Sequence, residues 1–212
     1  MPNSRQKLAD SPALVAEPRP TLRLGGDGRM RCAWAGAGAD ETYSNYHDRE
    51  WGVALHGDRA LFEKLSLEGF QAGLSWITIL RRREAFRLAF NNFELDSVAK
   101  IDEVGVEALL LNAAIIRNRA KIVATISNAA IVRELVRHEP GAFDRLIWGF
   151  APPGVRPRPS SAEIPTLTPE STALSAALRA LGLRFVGPTS VYAMMQSIGM
   201  VDDHYLGCWR AG

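Results

Sequence analysis

Apolar residues recur at three- and four-residue steps from residue 58 onward, which is the helical period. A long helix is predicted from Asp58 through Leu61, Phe62, Leu65, Ala72, Trp76 and Ile79 to Arg81, Arg82 and Arg83, with Asp58 as its cap. Another follows from Glu84 to Phe90. Asp96 caps a short helix through Val98, and Asp102 caps the next, through Val106 and Leu109 to Leu111. After a tight break at 112–116, a longer helix runs from Asn118 to Arg137. Residues 151–168 are Pro-rich and without period, so they read as a loop. Thr168-Pro169 opens a helix that Gly182 ends, and Gly187-Pro188 opens another through Val191, Met194, Met195 and Ile198. No stretch alternates as a strand does, so the fold class is all-α.

Composition narrows the class. The 212 residues are 47% hydrophobic and 23% charged, and no apolar run is long enough for a membrane span. Residues 1–30 are rich in Pro, Gly, Arg and Asp and lack the apolar core of a signal peptide, so a disordered tail is expected there. A cytoplasmic location follows as the expectation, with both cysteines reduced and available as ligands. The net charge of +2 neither requires nor excludes nucleic acid. Placement says more: basic clusters stand at 81–83, at Arg117, Arg119 and Lys121, and at Arg156 and Arg158. Each is alternatively a solvated face. The cluster after the break falls at a helix N-terminus, where cations are unfavourable unless an anion arrives, as at a phosphate site.

Candidate chemistry lies in three groups. Cys32 and His47, with His204 and Cys208 at i, i+4 spacing on one helix face, supply two sulfurs and two imidazoles, a tetrahedral shell for zinc. The spacing is not that of a common zinc finger, and a buried reduced cysteine is often only a small hydrophobe. Glu68 falls on the apolar stripe of the 58–83 helix, with Lys64 bordering the same face. A buried carboxylate costs several kcal/mol unless partnered, so it marks either a structural ion pair or a functional acid. Gly69 and Gly73 interrupt that helix and suggest close approach of another group. Trp34, Tyr43, Tyr46, Trp51 and Trp76 concentrate near these candidates. Beside an acid, such rings make a pocket for a flat cationic heterocycle.

These strings together resemble the DNA-3-methyladenine glycosylase I family of helix-hairpin-helix glycosylases. The match comprises Cys32-Ala-Trp34, Tyr43, Tyr46-His-Asp-Arg-Glu-Trp51-Gly52, Glu68-Gly-Phe-Gln-Ala-Gly-Leu-Ser-Trp76, Ile115-Ile-Arg-Asn-Arg119 with Lys121-Ile122, Phe185-Val-Gly187, and His204 with Cys208. The resemblance implies a structural zinc on Cys32, His47, His204 and Cys208, joining the two chain ends. It implies a glycosylase domain over 31–212, with a helix-hairpin-helix lobe at about 84–150. Glu68 would contact a base flipped out of alkylated duplex DNA, inside a pocket shaped by Trp34, Tyr43, Tyr46, Trp51 and Trp76. Gln71, Gly73 and Leu74 would enter the DNA, and Arg117, Arg119 and Lys121 would meet phosphates. The implied activity is hydrolytic release of 3-methyladenine by a monomeric enzyme without lyase chemistry. The alternative is a zinc-stapled DNA-binding module without catalysis; a base deaminase is excluded because its His-x-Glu and Pro-Cys-x-x-Cys signature is absent. One departure stands out: Ala113-Ala114 occupies the hairpin where Ala-Gly is expected, which puts the tight turn in question.

Overall fold

The structure is a computed structural model that describes residues 21–35, 41–154, 158–159 and 164–211. It is helical, with one short hairpin. Strands β1 (Leu22–Leu24) and β2 (Met30–Cys32) pair antiparallel, Leu22 opposite Cys32. Ten helices follow among the described residues: α1 (Glu41–Arg49), α2 (Asp58–Gln71), α3 (Trp76–Leu80), α4 (Arg83–Ala89), α5 (Leu95–Val98), α6 (Glu103–Leu111), α7 (Arg119–His138), α8 (Ala142–Trp148), α9 (Pro169–Ala180) and α10 (Pro188–Ser197).

Locally coded helix ends are where the caps predict them. The Asp102 side chain accepts from Gly105 N at 3.0 Å, and Asn118 accepts from Lys121 N at 3.2 Å. Thr168 and Ser171 form a reciprocal capping box ahead of Pro169. Three expectations fail. Asp58 is the first residue of α2 but caps another helix, accepting from Gly141 N at 2.7 Å and Asp144 N at 2.9 Å at the start of α8. The cap of α5 is Glu94 rather than Asp96. The helix expected from 58 to 83 is broken at 72–75, where Ala72 turns extended and Gly73 takes φ +84°, separating α2 from α3.

Two further corrections concern the ends of the chain. The folded body begins by residue 21 rather than 31, because the β1–β2 hairpin is tied down. Arg31 on β2 donates to Asp27 at 2.8 Å and to Asp48 of α1 at 2.7 Å. Residues 1–20 of the expected tail, and Arg156, lie outside the described residues. His204 and Cys208 do not share a helix face; they flank a turn containing Gly207.

α2 sits at the centre, with every residue from Leu61 to Phe70 buried, and packs against α7, α8 and α10. One large core runs from Leu61 to Val201, so residues 84–150 share it with α2, α9 and α10 rather than enclosing their own. A second, smaller cluster joins Cys32, Tyr46, Trp51, Leu80, Tyr205 and Cys208, where the chain ends meet. Gly69 packs against the α9–α10 connection: a Cβ there would stand 3.4 Å from Phe185 Cβ. That is the close approach the helix-breaking glycine suggested.

Candidate active site

The five rings named from sequence come together. Trp34 lies in the turn after β2, Tyr43 and Tyr46 on α1, Trp51 just beyond it, and Trp76 at the first residue of α3. Trp34 meets Tyr43 at 5.2 Å and Trp51 at 4.8 Å between centroids, and Tyr46 meets Trp76 at 5.5 Å. They surround a cavity of about 230 Å³, with Glu68 and Gln71 of α2, Ala193 and Gln196 of α10, and Ile164 completing the wall. That is below the roughly 300–1,000 Å³ of pockets for drug-sized ligands, so it suits one flat heterocycle. The break between α2 and α3 creates the opening: α2 ends at Gln71, and the turn that follows leaves Leu74 exposed and sets Trp76 against the rings.

Glu68 is only 3% exposed. Burial pushes its carboxyl up to about 7, against the opposing influence of the Lys64 ammonium and the Ser197 hydroxyl. Both forms are therefore accessible near neutral pH, which is uncommon for a carboxylic acid and typical of functional ones. The Tyr46 phenol is pushed well up by burial and by the neighbouring acid, so it stays protonated as a hydrogen-bond donor.

Behind the rings lies a second constellation. Cys32, His47, His204 and Cys208 are buried, and their ligand atoms all fall within 4.8 Å of one another. Cys208 Sγ is 3.4 Å from His47 Nε2 and 3.7 Å from His204 Nδ1, and Cys32 Sγ is 3.8 Å from His204 Nδ1. Sulfur and nitrogen ligands around tetrahedral zinc stand about 3.6 Å apart, from Zn–S and Zn–N bonds of about 2.3 and 2.0–2.1 Å. The outward nitrogens are engaged, as metal-ligating imidazoles require. His47 Nδ1 donates to Asp48 at 2.8 Å and His204 Nε2 to the Trp51 carbonyl at 3.3 Å, which turns the other nitrogen of each ring toward the sulfurs. Asp48 is itself held by Arg31 and by Trp209 Nε1 at 3.1 Å. The Cys208 thiol is pushed down by hydrogen bonding to Cys32 and to both imidazoles, while Cys32 is pushed up by Cys208 and by burial. The protein atoms alone thus favour one thiolate; a divalent cation would supply the charge for two. The donor set fits a metal that joins the two ends of the chain.

The hairpin between α6 and α7 departs from expectation in two ways. Ala113 and Ala114 are not among the residues with positive φ, and Asn112 Oδ1 accepts from Ala114 N at 3.0 Å. The turn therefore forms without glycine. Of its three cations, two are engaged within the protein. Arg119 ties α7 to α6 through Glu103 and Glu107. Lys121 is 8% exposed and points inward, donating to Phe70 O at 2.8 Å and Ala72 O at 2.7 Å. It caps the carbonyl end of α2 and is not a phosphate ligand; that expectation is corrected. Arg117 remains exposed at the hairpin. Arg83 is likewise bound to Glu50 at 3.0 Å, and Arg158 to Asp202 at 2.5 Å. Three placements escaped the sequence reading: the orientation of Lys121, the role of Asp48 behind His47, and the position of Gln196 in the cavity wall. Asp48 had a signal, since His-Asp follows the ligand directly; the other two had none.

The model of the methyladenine glycosylase family matches residues 34–211. The DNA-3-methyladenine glycosylase 1 of Escherichia coli (strain K12) is 45% identical over 181 residues, 84% of this chain and 95% of that protein. A crystal structure of a 3-methyladenine DNA glycosylase I aligns with TM-score 0.80 at 44% identity, over 84% of this chain and 98% of that one. Another, an altered enzyme solved in complex with 3-methyladenine, aligns with TM-score 0.78 at 30% identity, over 84% and 96% of the two chains. The family match over 34–211 takes in every residue of the cavity wall, and on that coverage the chain belongs to the methyladenine glycosylase family.

Proposed function

We propose that this protein excises 3-methyladenine from alkylated double-stranded DNA by hydrolysis and leaves an abasic site. The observation that carries the reading is the buried acid, Glu68, in the wall of a base-sized aromatic cavity. Methylation at N3 makes the base cationic and its glycosidic bond weak. The nucleotide must first leave the stack, at a cost of a few kcal/mol. Leu74 and Gln71, beside the α2–α3 turn, would enter the space it vacates; the exposure of Leu74 and Gly73 at φ +84° support that reading. Tyr46 and Trp76 would flank the base, each cation–π contact contributing about 0.5–2 kcal/mol. The Glu68 carboxylate would accept a hydrogen bond from the base edge. Bond cleavage sends the electron pair to the base, which departs neutral, while water bonds to the anomeric carbon and loses a proton to solvent. Two sulfurs and two imidazoles in tetrahedral spacing suit zinc, whose part is structural: it would clamp the segments bearing Trp34, Tyr43, Tyr46 and Trp51. The reading of a binding module without catalysis has no observation in its favour, since the cavity, the acid and the rings are all present.

Incubating the purified protein with methylated DNA should release free 3-methyladenine; no release with enzyme in excess would overturn the proposal. At the hairpin, Arg117→Ala should weaken DNA binding and reduce the slope of log affinity against log salt by about 1. Lys121→Met should leave that slope unchanged and instead destabilise the fold by about 1–3 kcal/mol through lost carbonyl capping, measured by urea titration.

A further inference from the structure

Lys64 is a buried cation that the reaction outlined above does not use. It lies one turn before Glu68 on α2 and is 8% exposed. Its ammonium stands 5.1 Å from the Tyr46 ring centroid and 5.6 Å from that of Trp76, the two rings that would flank a base. Neither the base cavity nor the metal cluster includes it. It lines a separate cavity of about 300 Å³, shared with Arg49, Glu50, Arg83 and Ser197 among others. Lys64 therefore lies between an aromatic pocket on one side and, on the other, a cavity walled by both charged and apolar side chains.

A cation in this place is at first sight unfavourable, because the proposed ligand is itself cationic. The charges around it supply the reason for its presence. Burial lowers the Lys64 ammonium, and Glu68 and Glu50 act in the opposite direction. Glu50 is bound to Arg83, and Glu63 to Arg87 at 2.7 Å. Among the described residues Glu68 makes no such pair with an arginine, so its charge is the one in this group left to Lys64. The groups near Glu68 on the surrounding elements are few. They are Tyr46 on α1 with Glu50 beyond it, Arg83 on α4, and Gln196 and Ser197 on α10; Lys121 of α7 lies at the far carbonyl end of α2. Arg83 is paired with Glu50, and the Lys121 ammonium is held by the α2 carbonyls.

Resting on the proposed function, we propose that Lys64 is a positioning residue that acts through Glu68: its ammonium, one turn away on α2 and against the Tyr46 and Trp76 rings, is the internal counter-charge that favours the carboxylate form of Glu68, ready to accept a hydrogen bond from the base. A protonated Glu68 would present a donor in place of an acceptor. With Lys64 one turn away on α2, the charge of an ionised Glu68 is offset, so after cleavage the neutral base leaves a region without net charge.

Removing the ammonium should raise the pH at which Glu68 ionises. Titration of the Glu68 carboxyl carbon by NMR should show the midpoint moving upward by about one pH unit or more in Lys64→Met, an unbranched replacement. Affinity for free 3-methyladenine should then fall about three- to tenfold at pH 7 in the variant and match the wild type at pH 9. Equal midpoints in the two proteins would overturn the inference. So would a wild-type Glu68 still protonated at pH 8.5, a measurement that needs no variant should Lys64→Met fail to fold; Lys64→Gln offers a polar second variant for the same titration. The carboxyl titration does not depend on DNA cleavage. A shifted midpoint in a protein that releases no base would sustain the counter-ion and sink the proposed function. Base release with coincident midpoints would do the reverse.

Discussion

Glu68→Gln should slow 3-methyladenine release from methylated DNA by about 10- to 100-fold. A buried hydrogen bond to a charged group contributes about 1.5–3 kcal/mol, and each 1.36 kcal/mol is a factor of ten in rate. Glutamine keeps the shape and one acceptor oxygen but loses the charge, so the loss should be largest on the cationic lesion. The same substitution has an opposite signature in stability. The folded-state value of about 7 lies above the ordinary 4.5 of a glutamate. Below 4.5 the acid is protonated in both states and the folded state bears no cost. As pH rises from 4.5 to 7 only the unfolded chain ionises, and the fold loses on the order of 3 kcal/mol, a loss that then stays constant. Relative to the wild type, Glu68→Gln should therefore gain about that much between pH 4.5 and pH 7.5. Paired urea titrations across this window, alongside single-turnover release, check both halves. Full rate in the variant would remove Glu68 from the chemistry, and parallel stability curves would show that its burial carries no such cost.

Cys208→Ala should abolish metal binding and lower the melting temperature by about 6–12 °C. The preparation should otherwise contain about one zinc per chain, without any zinc added during purification. Structural zinc contributes about 10 kcal/mol or more in modules that have little else to hold them. Here a large core stands apart from the cluster, so a net loss of about 3 kcal/mol is expected, at 2–4 °C per kcal/mol for a chain of this size. The damage should be local. His47 is adjacent to Tyr46 and faces Trp34 at 5.3 Å, while His204 packs on Trp51 at 4.5 Å. Without the clamp these rings lose their backing, and base release should fall together with stability. The hairpin and the C-terminal turn should lose hydrogen-exchange protection first, since Trp209 N donates to Met30 O at 2.8 Å across the same junction. A folded, active preparation with no metal would overturn the clamp.

The parts of the fold that were legible are those with local causes. Asp102, Asn118 and Thr168-Pro169 cap their helices because the donor and acceptor lie three residues apart, a distance within reach of any sequence reading. The pocket residues are legible as a set through the resemblance, and the four candidate metal ligands by their chemical type. Three-residue strands carry too little alternation to be read, so nothing in residues 21–30 marks the β1–β2 hairpin in the sequence. The break after Gln71 lay inside an unbroken apolar stripe, and only Gly73 hinted at it.

Lys121 and Asp58 show where the local reading ends. Both were correctly placed on helices, and both act on a different element: Lys121 on the carbonyls of α2, Asp58 on the amides of α8. Ala114 shows the converse, because the hairpin closes around Asn112 without the glycine that sequence alone seemed to require. The sequence by itself determined α4 to α7, α9 and α10 and most of the caps it named, which depend on residue type and short-range spacing; it gave the metal-donor set and the pocket inventory through residue type and the resemblance, and left α1 and α8 unread. The tertiary structure alone decided which charges are engaged internally, that both Glu68 and Lys64 are buried, and which rings and cavity they face. Ion pairing and desolvation depend on distance and burial in space, and residues fifty positions apart carry no local sign that they meet.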